Sequence, residues 1–150
     1  MHKQEQVIEE LNRFLQGRYM GIRQYQHLID HARDPEIKEL LRTFQSHARR
    51  GAELVAERIR RLGGRPAEEL GIMGKVREWM SQWKDYPEDT REVLRDALAG
   101  ENKYGVHFSH NMVAGELDEE SAKLIDRILE EDQQRADRIK DILQKNEVRR

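Results

Sequence analysis

Residues 93–108 read VLRDALAGENKYGVHF. The positions that share the apolar face of a helix through this stretch are Leu94, Leu98, Glu101, Tyr104 or Gly105, and Phe108. A carboxylate such as Glu101 costs free energy on a face turned to the core unless it is paired or bound to something. The stretch therefore predicts a long helix with a buried polar site near its middle.

The composition favours long amphipathic helices. Charged residues make up 37% of the chain, as do hydrophobic residues, and only 3 of the 150 residues are proline. A chain of this length forms one domain with a real core, and we place that domain at residues 1–150. The net charge of −2, with both signs interspersed, excludes a basic stripe for nucleic acid. The chain has no cysteine, so disulfides, thiolate chemistry and cysteine-bound zinc are excluded.

The sequence predicts a cytoplasmic protein that does not bind membranes or nucleic acid. The N-terminal residues lack the apolar stretch of a signal peptide, and no apolar run approaches the length of a membrane span. We expect a homodimer, formed through an outer helical face or the segment around Trp79 and Trp83. Two-fold dimers are the commonest oligomers, and tryptophan is frequent at interfaces.

Hydrophobic periodicity and capping residues predict four long helices. We place them at residues 4–33, 35–63, 88–114 and 119–146. The short Asp34-Pro35-Glu36 link makes the first two an antiparallel hairpin. Residues 65–86 are too many for a turn, and they carry a short amphipathic pattern near Val76–Trp83. We therefore expect a crossover with a short helix that leads to a second hairpin.

Each predicted helix carries a polar residue on its inner face near its midpoint. Midpoints of antiparallel helices lie at one level of a bundle, so these side chains should meet there. One further arginine lies about one turn away on the fourth helix. The predicted polar layer consists of Arg18, His47, Glu101, Glu131, Asp132 and Arg135.

Three passages carry a family resemblance. They are DPEIK at 34–38, the stretch from AEL at 52–54 to LGGRP at 62–66, and GENKY at 100–104. With two hairpins and a long crossover, the chain resembles the ferritin-like superfamily, most closely a bacterial family of small ferritin-like proteins of unknown function. The resemblance covers nearly the whole chain and implies an all-α, ferritin-like four-helix bundle.

Metal-binding members of that superfamily hold metal in such a layer. Two helices each contribute a glutamate, and the other two each contribute a Glu-x-x-His pair. Glu101 and Glu131 match two of these glutamates. However, Gln134 stands where the histidine after Glu131 should be, and Phe44 stands three residues before His47.

Two interpretations of the layer remain. In the first, its arginines neutralise its carboxylates in a network of buried ion pairs that needs no cofactor. In the second, Glu101, Glu131 and His47 bind one iron or manganese ion. Arg18 favours the first, because a buried guanidinium competes with a metal for the same oxygens.

The sequence leaves three functions open. The favoured one is a non-enzymatic structural or interaction module in which ion pairs replace the metal layer. The second is a metal-binding protein of iron storage, iron oxidation or peroxide defence, and such an enzyme would be a ferroxidase-like oxidoreductase. The third is a small-ligand carrier with room in the bundle near Gly21, Gly51 and Gly105.

Overall fold

The fold is helical throughout the part of the chain that the structure describes. The structure is a computed structural model, and it describes residues 2–72, 74, 77, 89–102 and 117–148. Its main helices are α1 (His2–His31), α2 (Pro35–Arg61), α3 (Thr90–Glu101) and α4 (Glu119–Val148), with a short 3₁₀ helix at Glu69–Ile72. No strand occurs in these ranges, which confirms the all-α prediction. No helix within them is long and apolar enough to cross a membrane.

Asp34 closes the first hairpin. Its side chain accepts a hydrogen bond from the backbone N–H of Glu36 at 2.9 Å, and Pro35 occupies the first turn of α2. Both features suit the start of a helix, where N–H groups lack partners within the helix. Because only residues 32–34 separate α1 from α2, the two helices pack against each other as an antiparallel pair.

Gly63 ends α2 in the left-handed region of backbone space, with φ at 87°. The N–H of Gly63 donates to the carbonyl of Arg60 at 3.0 Å, and the N–H of Gly64 donates to the carbonyl of Ile59 at 2.9 Å. These two bonds form a Schellman motif, which satisfies the last carbonyls of the helix. The second helix, which the sequence predicts to end at residue 63, is therefore ended by this motif.

The chain after α2 returns along α1. Nδ2 of Asn12 donates to the carbonyl of Arg65 at 3.0 Å, and its Oδ1 accepts from the N–H of Ala67 at 2.7 Å. Farther on, Glu69 pairs with Arg23 of α1 at 2.9 Å. The start of the connection is therefore fixed to the first helix.

Aspartates also cap the helices of the second half. Asp89 accepts from the N–H of Arg91 at 3.2 Å at the start of α3. Asp118 accepts from the N–H of Ser121 at 3.3 Å at the start of α4. Apart from Arg77, the short helix expected near Val76–Trp83 lies outside the described residues, as does the expected end of the third helix near residue 114.

Two apolar clusters fill the bundle. The first includes Leu11, Phe14, Val55, Ile59 and Ile125. The second includes Leu28, Ile37, Leu41, Val93 and Ile139. Helix α2 thus begins in the second cluster and ends in the first, while α3 begins again in the second. The end of α2 and the start of α3 therefore lie at opposite ends of the bundle.

The helices pack as a ring of four. Helix α1 contacts α2 and α3, and α4 contacts α3 and α2. Helices α2 and α3 therefore lie diagonally across the ring, as a crossover connection requires.

Replacing Gly63, just after the end of α2, and Gly51, inside α2, by alanine should change the free energy of unfolding in opposite directions. Gly63→Ala should lower the free energy of unfolding by about 1 kcal/mol, because an L side chain at positive φ is strained. Gly51→Ala should raise it by about 0.5 kcal/mol, because alanine favours the helix. A Cβ at Gly51 would meet Ile128 only at an ordinary 3.7 Å. Urea unfolding measures both changes, and a stabilising Gly63→Ala would contradict the assigned helix end.

Candidate functional site

A buried ion pair joins α1 to α4. Nη1 of Arg18 donates to both carboxylate oxygens of Asp132, at 2.9 Å and 2.8 Å. Arg18 is 5% exposed and Asp132 only 1%. Arg18 lies one helical turn from Phe14 and from Ile22, both of which are in the core, so helix periodicity turns it inward.

Arg135 extends this contact to α3. Its Nε donates to Oε1 of Glu101 at 2.8 Å, and its Nη2 donates to Oδ1 of Asp132. The hydroxyl of Tyr25 on α1 donates to the same Oε1 of Glu101. The hydrogen bonds therefore connect Tyr25, Glu101, Arg135, Asp132 and Arg18 without a break, across three helices.

We call these five residues the buried ion-pair layer. It contains two guanidinium groups and two carboxylates, so its formal charges balance inside the bundle. It lies between the two apolar clusters, where an unpaired charge would be very costly. The layer is thus complete in charge without any added ion.

Burial shifts the pKa values of this layer. Loss of solvent raises the pKa of Glu101, and the charge of Asp132 adds to this, while Arg135 opposes it. For Arg135, burial alone lowers the pKa, but Glu101 and Asp132 outweigh burial and raise it, so the guanidinium stays charged. Burial and the neighbouring Glu101 raise the pKa of Tyr25 well above its ordinary value, which keeps the phenol protonated as a donor.

A small cavity of about 10 Å³ adjoins the layer, between Arg18, Tyr25, Glu101 and Gly21. Oε2 of Glu101 and Nε of Arg18 are buried, and neither has a hydrogen-bond partner among the described residues. A space of this size admits about one water molecule and no organic substrate. Near Gly21 the bundle interior therefore offers no room for a carried ligand.

Two members of the predicted layer lie elsewhere. His47 and Glu131 are exposed and line a groove on the outside of the bundle, between α2 and α4. The prediction that these two side chains lie inside was wrong. Each helix position is rotated by about 100° from the one before it, and in both cases the next residue faces the core instead. The core position next to His47 is Ala48, and the one next to Glu131 is Asp132. Helix α2 therefore adds no charge to the layer.

The donor set does not fit the metal site that the resemblance implied. Glu101 faces the interior while Glu131 and His47 face outward, so these three candidate ligands do not converge. Within the described ranges, no three His, Asp or Glu side chains form a group that could hold a metal ion. The carboxylates that do converge, Glu101 and Asp132, both accept hydrogen bonds from arginine.

Arg58 of α2 forms polar contacts at the start of α4 that were not predicted from the sequence. Its Nε donates to Oγ of Ser121 at 3.0 Å, and its Nη2 donates to Oδ2 of Asp118 at 2.6 Å. Burial alone raises the pKa of Asp118, but the hydrogen bonds from Ser121 and Arg58 outweigh burial and lower this pKa. Arg58 follows Val55 by three positions, a spacing that could have placed it on the inner flank of α2.

One protein family matches residues 6–114 of the 150, and it is described as "Domain of unknown function (DUF2383)". No curated protein and no solved structure matches the chain.

The raised pKa of Glu101 predicts the sign of a pH effect on stability. A carboxyl whose folded pKa lies above its unfolded value stabilises the fold below the unfolded pKa, and this contribution is lost as the pH rises through the folded pKa. The free energy of unfolding of the wild type, minus that of Glu101→Gln, should therefore fall as the pH rises above 4.5.

Urea unfolding at a series of pH values from about 4 to about 8 measures this difference. Glu131→Gln is the matched control, because it removes an exposed carboxylate and changes the net charge equally. A difference that grows with pH would show that Arg135 outweighs burial at Glu101.

Proposed function

Because the chain belongs to the DUF2383 family of domains of unknown function, its role is inferred from its buried ion-pair layer, and we propose a non-enzymatic structural or interaction module. We further propose that its bundle is ferritin-like. In this account the ion pairs take the place that a metal centre holds in metal-binding ferritin-like proteins, where carboxylates and histidines project inward from the four helices.

The helix arrangement supports the ferritin-like part of the proposal. Two antiparallel hairpins joined by one long crossover are typical of ferritin-like bundles, whereas a simple up-down bundle has short loops throughout. Here α2 and α3 are diagonal, and both begin in the second apolar cluster. The segment between Arg61 and Thr90 is long enough for such a crossover.

The observation that carries the proposal is that arginine holds both carboxylates of the buried ion-pair layer. Asp132 binds Arg18 and Arg135, and Glu101 binds Arg135. A guanidinium is always charged and matches carboxylate geometry, so it stabilises these oxygens and repels an incoming cation. An oxidation centre also needs an open coordination position at its metal. The cavity that adjoins the layer has a volume of only about 10 Å³, which is room for about one water molecule.

The layer has a structural use in this proposal. Its hydrogen bonds form only when α1, α3 and α4 have one particular register, so they favour a single arrangement of the helices. The outer faces then present a fixed surface to a partner. On sequence grounds we propose that the module acts in the cytoplasm as a homodimer.

Anaerobic loading with ferrous iron, followed by oxygen, tests the proposal. We expect the protein to oxidise iron no faster than a protein-free control, because its carboxylates are already paired. Optical spectroscopy follows the oxidation, and elemental analysis of protein made without a histidine tag measures bound iron and manganese.

Glu101→Gln is the matched variant, since it removes one carboxylate and keeps the shape of the side chain. Rapid stoichiometric oxidation by the wild type that Glu101→Gln loses would establish a metal centre in the layer. That result would refute the structural module and restore the iron-binding hypothesis.

A further inference from the structure

A groove of about 500 Å³ runs between α2 and α4 on the outside of the bundle. Arg50, Gly51 and Leu54 line it from α2, and Arg127, Glu131 and Arg135 line it from α4. The volume lies within the range of small-molecule sites, which is about 300–1,000 Å³. The groove is separate from the small cavity beside Glu101, although Arg135 lines both.

The arginines at the mouth of the groove are available for a ligand. Arg50 and Arg127 are exposed, and neither forms an ion pair or hydrogen bond with another described residue. Two other arginines of α2 differ in this respect: Arg58 binds Asp118 and Glu120, and Arg61 binds Glu57. Unpaired guanidinium groups on opposite walls of one groove provide several donors for an oxyanion.

Arg135 gives the groove a rigid floor. It is 5% exposed, and its guanidinium is held by Glu101 and Asp132 of the buried ion-pair layer. A side chain held in this way loses little further conformational entropy when a ligand binds. The opposing charge in the groove is Glu131, so arginine exceeds carboxylate among the lining groups.

The groove also offers apolar surface. Phe44 lines it, and Leu54, with 38% of its surface exposed, is the only exposed large hydrophobic residue in the part of the chain that the structure describes. Gly51 carries no side chain that would fill the space between them. Apolar walls with a few convergent polar groups are typical of sites for small organic ligands.

We propose that this groove binds a small organic anion whose carboxylate or phosphate group lies between Arg50 and Arg127 and whose apolar part contacts Phe44 and Leu54. Charge complementarity selects an anion over a cation, and the apolar walls select an organic ligand over a free inorganic ion. The site goes beyond the structural role, because Arg50 and Arg127, which would bind the anion, are not members of the buried ion-pair layer.

The test uses the full chain and the fluorescent anion 8-anilinonaphthalene-1-sulfonate. Arg127→Gln should raise the dissociation constant of this probe about tenfold, because it removes a charged donor. Glu131→Gln should lower it about threefold, because it removes the opposing charge. Arg138→Gln is the matched control, since Arg138 is exposed on the same helix and does not line the groove.

Opposite signs at Arg127 and Glu131, with Arg138→Gln close to wild type, support the proposal, and any other ranking overturns it. Circular dichroism and thermal unfolding show that the variants keep the fold, which substitutions at exposed positions should leave intact. Displacement of the probe by octanoate and by octyl phosphate then identifies the preferred oxyanion. Failure of both compounds to displace it also overturns the proposal.

Discussion

Asp132 is the residue on which the rest of the structure depends, because two arginines bind its buried carboxylate. Arg18 reaches it from α1, and Arg135 reaches it from the next turn of α4 and continues to Glu101 on α3. Charges in an apolar interior are stable only while every partner is in place. A shift of one helix by one turn would leave a charge unpaired, whereas apolar contacts alone tolerate such shifts more readily. The layer therefore specifies the register of the bundle, and the two apolar clusters on either side supply most of its stability.

Much of this arrangement was predictable from helix periodicity. The pattern around Glu101 predicted a buried carboxylate, and Arg18 and Asp132 were placed at its level with Arg135 about one turn away. Periodicity failed between adjacent positions: Glu131 was placed in the layer together with Asp132, and His47 was placed there although Ala48 occupies the core position. The pairings themselves depend on how the helices are rotated against one another, which no single helix pattern contains. The groove was missed because unpaired Arg50 and Arg127 look like ordinary solvated residues in a sequence that is 37% charged.

Arg135 connects the interior of the molecule with its outer surface. On one side it binds the carboxylates of the layer, and on the other it lines the groove between α2 and α4. A buried layer that fixes the bundle can thus also fix the floor of a binding site. This link gives the polar core a second use, because a guanidinium held by two carboxylates keeps one position in the lining of the groove.

A double-mutant cycle on Arg18 and Asp132 tests the central claim most directly. Urea unfolding of Arg18→Met, Asp132→Leu and the double variant gives the coupling energy between the two side chains. Asp132→Leu leaves Arg18 buried without a partner, and Arg18→Met leaves Asp132 with only one of its two arginines, while the double change removes both side chains. The account predicts that the double variant loses less stability than the sum of the single losses, by about 2 kcal/mol or more. Losses that add to within about 0.5 kcal/mol would show that the pair does not hold α1 and α4 in register.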